Sequence, residues 1–221
     1  SKVIKDNCDG TEKVFCDIFS GTASVSRFFK NKYTIISNDL LYSSYILQMG
    51  TIENTDTPTF DKIRKVLNIE DVFDYLENTD ISKENFNKFI YENYSPNDNC
   101  ERMYLTPENA LRIDFIRNKI ENWKNKELIT INEYYYLLAS LIEGVPYVSN
   151  ITGTYGAYLK QWDKRAFKKF ELIRLNVIDN KSNNKCYNRN ANELIKEIKG
   201  DILYLDQPYN ERQYLPNYHL L

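Results

Sequence analysis

Two short apolar runs open the chain. Residues 13–19, KVFCDIF, and residues 33–37, YTIIS, are rich in β-branched and aromatic side chains and have the length of strands rather than helices. Each ends at small or polar residues, SGTAS after the first and Asn38-Asp39 after the second, and each is followed by apolar positions at helical spacing, at 25–29 and 41–48. This alternation predicts an α/β domain with a parallel sheet, because parallel neighbours need a crossover that returns the chain to the same end. From 57 to 143 the period becomes helical throughout. Helices are expected at 60–67, 69–76, 83–94, 107–125 and 131–142, with Ser82 and Thr106-Pro107 as start signals and SPNDN at 95–99 as a break. A loop rich in glycine and tyrosine follows Gly144. Beyond it a strand is expected at 170–178, a turn at NKSNNK, a short helix at 192–198 and a buried-type strand at 201–206, DILYLD. The expected organisation is an α/β domain built from residues 1–56 and 170–221, interrupted by a mostly helical insertion, 57–169. No internal repeat is visible.

Composition narrows the class. Hydrophobic residues make up 42% and charged residues 27% of 221, a globular rather than a disordered profile. No apolar run approaches the roughly 18 residues of a membrane-spanning helix, and the opening SKVIKDNCDG lacks the apolar core of an export signal. The expected setting is the cytoplasm. Cys8, Cys16, Cys100 and Cys186 form no CxxC pair and His219 is the one histidine, which weighs against zinc and suits a reducing compartment; Cys16, in an apolar run, is expected to be a buried strand residue. The net charge of −2 excludes a uniformly basic nucleic-acid binder. Positive charge is nevertheless concentrated in KQWDKRAFKKFELIR, with Lys160, Lys164, Arg165, Lys168, Lys169 and Arg174. A solvated helix face and a local phosphate-contacting surface are its two readings.

The candidate chemistry lies at strand ends. The strand DILYLD delivers Asp206 to its carboxyl end, where open α/β sheets bind ligands, and Gln207, Pro208, Tyr209, Asn210 and Arg212 follow. A carboxylate and a backbone carbonyl suit the two N–H bonds of a planar amine whose lone pair is delocalised into a ring. An aromatic ring beside them can stack on that ring. At the end of the first strand stand Asp17, Phe19, Ser20 and Gly21, where glycine admits a close ligand and phenylalanine can pack on it. The turn lacks the G-x-G-x-x-G of nicotinamide sites. Asp39 closes the second strand, either as an acceptor for ribose hydroxyls or as a helix cap, a role for which Asn38 also qualifies. Asn190 is likewise a ligand contact or a cap. The segment ITGTYGAYLKQWDKRAF, with Tyr155, is either a structural loop or a contact surface. His219 has no partner nucleophile and reads as structural or as adjacent to a ligand.

The run DQPYNERQY resembles the Asp-Pro-Pro-Tyr loop, with its Asn-x-Arg-Gln-Tyr extension, of DNA adenine-N6 methyltransferases from restriction–modification systems. DIFSGTAS is similar to that family's Asp-x-Phe-x-Gly-x-Gly turn. Gln207 stands where the family has its first proline, and Ala23 where it has its last glycine. The resemblance implies a Rossmann-like methyltransferase sheet and S-adenosylmethionine as cofactor, held by Asp17, Phe19, Ser20, Gly21, Asp39, Asn190 and Asp206. Catalysis falls to Asp206, Gln207, Pro208 and Tyr209, acting on an adenine flipped out of duplex DNA. DNA contacts fall to Tyr155, Lys160, Lys164, Arg165, Asn210 and Arg212, with the helical insertion and the Gly/Tyr loop helping to choose the site. The family's upstream Gly-Ser-Lys segment and its later strands are missing, so a fragment or one part of a split enzyme is expected, with another segment or polypeptide completing the sheet. Two further readings stay open: an amino-group methyltransferase acting on RNA or protein, and a degenerate module that binds DNA without catalysis.

Overall fold

The computed structural model describes residues 2–207 and 217–221. They form two compact units, one of residues 2–57 and 175–207, the other of residues 58–174 and 217–221.

The first unit is built on four parallel strands: β1 (Val14–Asp17), β2 (Thr34–Asn38), β3 (Lys185–Tyr187) and β4 (Ile202–Tyr204), in the spatial order β3-β2-β1-β4. Helix α1 (Lys2–Asn7) precedes β1, α2 (Ser24–Phe29) crosses from β1 to β2, and α3 (Tyr42–Gln48) follows β2 and runs on into a π-helical turn, Met49–Glu53. Register places Asp17 opposite Ser37 on one side and Tyr204 on the other, which aligns the carboxyl ends of the three strands. The core is Phe15, Ala23, Phe29, Ile35, Ile52 and Cys186. Phe15 stacks on Phe29 with ring centroids 4.6 Å apart, and burying such a side chain contributes roughly 1.5–3 kcal/mol. Cys16 is buried beneath Gly200, where a Cβ would fall 2.3 Å from its Sγ. Lys30 at the end of α2 is also buried. Its amine donates to the carbonyls of Thr51 (2.9 Å) and Asn54 (2.5 Å), and burial pulls its pKa down to about 8.

The second unit is helical: α4 (Asp61–Leu67), α5 (Val72–Asn78), α6 (Phe89–Tyr94), α7 (Pro107–Asn125) and α8 (Ile131–Gly144). Local chemistry sets the helix starts. Thr106 caps α7 with Pro107 at its first position, and Thr130 and Glu133 form a reciprocal capping box on α8. Among the described residues no helix is long and apolar enough to cross a membrane.

Several expectations are corrected. Residues 170–178 belong to no strand. Their N–H groups are taken by the helices, Phe170 by the Asn109 side chain, Leu172 by Glu77 and Ile173 by the Ser140 carbonyl. The helix expected at 83–94 starts only at Phe89, because Ser82 bonds back to Asp80 in a turn and the buried Asp114 of α7 receives the N–H groups of Ile90 and Tyr91. Burial pushes the Asp114 carboxyl up to about 6. The helix expected at 69–76 is α5, started by the Asp71 cap. Strand β3 follows directly on the NKSNNK turn, and helix α9 (Ala191–Leu194) is a single turn. Within 160–174 the regular element is one 3-10 turn, Lys164–Phe167, not a helix face. The last strand is not wholly buried: Leu203 is 46% and Leu205 54% exposed.

Candidate functional site

At the carboxyl end of the sheet the chain makes a tight bend after β1. Gly21 has φ +51 and Ala23 φ +59, the left-handed region that glycine enters freely and alanine only at some strain. The expected Gly-x-Gly spacing thus has a backbone cause, and Ala23 tolerates it with its methyl wholly buried. A Cβ on Gly21 would meet nothing within 4 Å, so its backbone faces open space.

Hydrogen bonds lock this bend to the end of β2. The Ser20 hydroxyl donates toward the carbonyls of Asp17 (2.8 Å) and Asn38 (2.9 Å), and the Ser20 N–H donates to the Asn38 carbonyl (2.9 Å). Asp39 accepts the Gly21 N–H through Oδ2 at 2.8 Å and the Leu41 N–H through Oδ1 at 2.9 Å. Each oxygen keeps a further lone pair for a ligand. Asn38 ties β2 to the segment after β3: its amide donates to the carbonyls of Ile18 (3.1 Å) and Arg189 (3.0 Å) and accepts the Arg189 N–H (3.0 Å). Asn188 donates to the carbonyls of Asp39 and Leu40.

Asp17 is 1% exposed. Its Oδ2 accepts the hydroxyl of buried Ser26 at 2.8 Å, while its buried Oδ1 has no partner among the described residues. Burial above all, then the charges of Asp39 and Asp206, push its carboxyl up to about 6, although the Ser26 hydroxyl and the Phe19 backbone N–H oppose the rise. The three acids therefore share one electrostatic neighbourhood at the strand ends. Across from Asp17, the Tyr204 hydroxyl reaches Asp206 Oδ2 at 3.3 Å, and Asp206 and Gln207 are exposed.

The structure thus brings together Asp17, Ser20, Gly21, Asp39 and Asp206, with Phe19 half-buried beside them. Asn190 is exposed, and its side chain caps α9 by accepting the Asn192 N–H. Pro208, Tyr209, Asn210 and Arg212 lie outside the described residues. Asn38, Ser26 and Tyr204 were not singled out as site residues. Their signal was positional, since strand register puts Tyr204 opposite Asp17, and a sequence alone does not display register.

In the helical unit Asn150 organises the Gly/Tyr loop. Its side chain donates to the carbonyls of Met103 and Leu159 and accepts the Asp163 N–H. Lys160 and Lys164 are exposed and Arg165 half-buried. Tyr155 corrects the expectation of a DNA-facing ring. It is 2% exposed, and burial pushes its phenol up to about 12, so it packs the loop instead. Phe167, 66% exposed, leans on Trp162 at 5.8 Å. Together with Lys168, Lys169 and the first turn of α7 they line a groove of about 430 Å³.

Comparison with known proteins places these features in a family. Type II methyltransferase M.FokI of Planomicrobium okeanokoites is 53% identical over 222 residues, spanning 100% of this chain and 34% of that protein. Modification methylase StsI of Streptococcus sanguinis is 47% identical, spanning 100% of this chain and 33% of that protein. Type II methyltransferase M.NlaIII of Neisseria lactamica is 41% identical, with 96% of this chain and 60% of that protein covered. The chain therefore spans about a third of the length of the first two relatives. No solved structure matches. The sequence profile of the D12 class N6 adenine-specific DNA methyltransferases matches residues 1–221, with the glycine turn and the three strand-end acids inside the match, and the chain belongs to that family.

Proposed function

We propose that this chain binds S-adenosylmethionine at the carboxyl ends of β1, β2 and β4 and directs its methyl group to the exocyclic N6 of an adenine in duplex DNA, as the modification arm of a restriction–modification system. The observation that carries the reading is the convergence of Asp17, Asp39 and Asp206 beside an open glycine turn. Three acids at one sheet end, one with a buried oxygen lacking a donor, suit a cationic ligand with hydroxyl and amino donors. S-adenosylmethionine, when bound, supplies a sulfonium-activated methyl group.

The chain's own residues supply the rest. Asp39 has lone pairs left to accept ribose hydroxyls beyond the Gly21 and Leu41 N–H groups it already holds. Asp17 gives the positive ligand a carboxylate poorly solvated by water. Asp206, exposed at the end of β4, accepts one N–H of the target amine, and the Gln207 carbonyl accepts the other. Gln207 keeps the carbonyl that the usual proline would offer, without the ring that stiffens it. By motif, Pro208 shapes the loop and Tyr209 stacks on the extrahelical base, worth roughly 1–3 kcal/mol, which offsets part of the few kcal/mol needed to flip it. Asn210 and Arg212 are assigned to DNA by motif alone. Lys160, Lys164 and Arg165 contact phosphates, and the exposed Phe167 lines a groove with Lys168 and Lys169. On this reading the helical unit, residues 58–174, is the target-recognition part. The compartment is the one that holds the DNA.

The test is transfer of labelled methyl groups from S-adenosylmethionine to duplex DNA, RNA and peptide in one competition. Label at adenine N6 of duplex DNA, lost in Asp206→Ala, supports the reading. Label on cytosine, RNA or a glutamine amide overturns it, and absence of donor binding by calorimetry points to a non-catalytic module.

A further inference from the structure

The end of β2 and the segment after β3 are fastened to each other from both sides. Parallel register pairs Asn38 with Tyr187, so the next residues, Asp39 and Asn188, leave the sheet side by side. The Asp39 N–H extends the ladder by one bond, to the Tyr187 carbonyl at 3.2 Å. From β2, the Asn38 amide clasps the backbone of Arg189, donating to its carbonyl and accepting its N–H, both at 3.0 Å. From the opposite side, the Asn188 amide donates to the carbonyls of Asp39 (2.8 Å) and Leu40 (3.0 Å). Both bonds leave one nitrogen and so use both of its hydrogens. Asn188 is exposed, and Leu40 is 74% exposed, so directed bonds rather than burial set the path of the chain here. Each peptide group around Asp39 is thereby held: its own N–H by Tyr187, its carbonyl and that of Leu40 by Asn188, and the Leu41 N–H by Asp39 Oδ1 at 2.9 Å.

We infer that Asn188 is a positioning residue for recognition of the donor's ribose, fixing the backbone of Asp39 and Leu40 so that the Asp39 carboxylate keeps its aim. The inference rests on the reading of Asp39 as the acceptor for ribose hydroxyls. Asn188 touches neither the carboxylate nor the ribose. It acts through two carbonyls, and without it the Asp39–Leu40 and Leu40–Leu41 peptide groups are free to rotate. A carboxylate that swings with them loses its ligand, because a hydrogen bond weakens steeply once its angle falls off line. A binding group serves only when its supporting bonds hold it near the productive geometry. Asn38, on the opposite strand, supports Arg189 and leaves these two carbonyls to Asn188.

The experiment compares the whole protein with Asn188→Ala and with Asn188→Asp, which keeps the shape of the side chain and removes both donated hydrogens. Calorimetry measures two probes, S-adenosylmethionine and its analogue lacking the 2′- and 3′-hydroxyls, and the readout is the ratio of their dissociation constants. Amide exchange by NMR follows the N–H groups of Gly21 and Leu41, which the Asp39 carboxylate accepts, against those of the β1–β2 ladder. The unaltered protein is expected to prefer the hydroxylated probe roughly 10-fold or more, and both variants less than about threefold. Exchange at Gly21 and Leu41 accelerates in both variants while the ladder stays protected. A ratio unchanged in Asn188→Ala overturns the inference even if both affinities fall together, since that makes Asn188 a general structural residue. A wild-type ratio in Asn188→Asp overturns it as well, because the donated hydrogens would then be dispensable. Should the unaltered protein bind both probes equally, or neither, the ribose role of Asp39 fails, while exchange at Gly21 and Leu41 still decides whether Asn188 holds its carboxylate.

Discussion

Replacing Asp17 with asparagine isolates the energetic consequence of burying a carboxylate at the end of β1. The wild-type acid is 1% exposed and has one hydroxyl donor on Oδ2 and none on Oδ1. Burial, reinforced by Asp39 and Asp206, raises its pKa from 3.8 to about 6. At 1.36 kcal/mol per pH unit, that rise corresponds to about 3 kcal/mol. The sign follows from the native pKa lying above the unfolded one. The native state favours the neutral acid, so its stabilisation is complete below pH 3.8 and is lost as pH rises to about 6. Asparagine does not titrate and removes this slope. Its amide differs from the acid in hydrogen bonding by roughly 1–3 kcal/mol, a difference that does not vary with pH. Urea unfolding of both proteins from pH 4 to pH 8 begins just above the unfolded pKa and should therefore show the difference in unfolding free energy moving by roughly 2–3 kcal/mol in the variant's favour, on the order of 60-fold in the folded-to-unfolded ratio. Asp114 titrates in the same range but is present in both proteins and cancels. A pH-independent difference between the two would refute a buried, strained carboxylate at this position.

The same acid predicts the pH dependence of donor binding: a cationic ligand favours ionised Asp17, so S-adenosylmethionine affinity by calorimetry should weaken as pH falls through about 6, and weaken less in Asp17→Asn. Asn38→Ala removes three hydrogen bonds that join the β1 turn to Arg189; thermal or urea unfolding should register a loss of about 2–3 kcal/mol, with weaker donor binding because Asp39 loses its fixed neighbour. Gly200→Ala puts a Cβ 2.3 Å from Cys16 Sγ and should destabilise by about 1–3 kcal/mol. The double variant with Cys16→Ala should recover much of that loss, and failure to do so would show that Gly200 is needed for its backbone instead.

Much was legible along the chain because it is encoded by neighbours. The β-type runs of β1, β2 and β4, the Thr106-Pro107 start of α7 and the small residues after β1 each carry a local signal, set by strand periodicity, capping chemistry and the need for positive φ at Gly21 and Ala23. The acids Asp17, Asp39 and Asp206 were legible for the same reason, since each closes a strand. Residues 170–178 show the limit. Their alternating pattern is that of a strand, but a strand also needs a neighbouring backbone, and here Asn109, Glu77 and Ser140 supply the partners. The 83–88 stretch has helical spacing, yet Asp114, far along the chain, supplies the cap that starts α6 at Phe89. Tyr155 and His219 follow the same rule: one is turned inward and the other stacks on the Tyr94 ring, because burial and hydrogen-bond partners come from segments distant in sequence. Local periodicity and capping are properties of the chain. Who receives a given N–H, and which side of a ring meets water, are properties of the folded molecule alone.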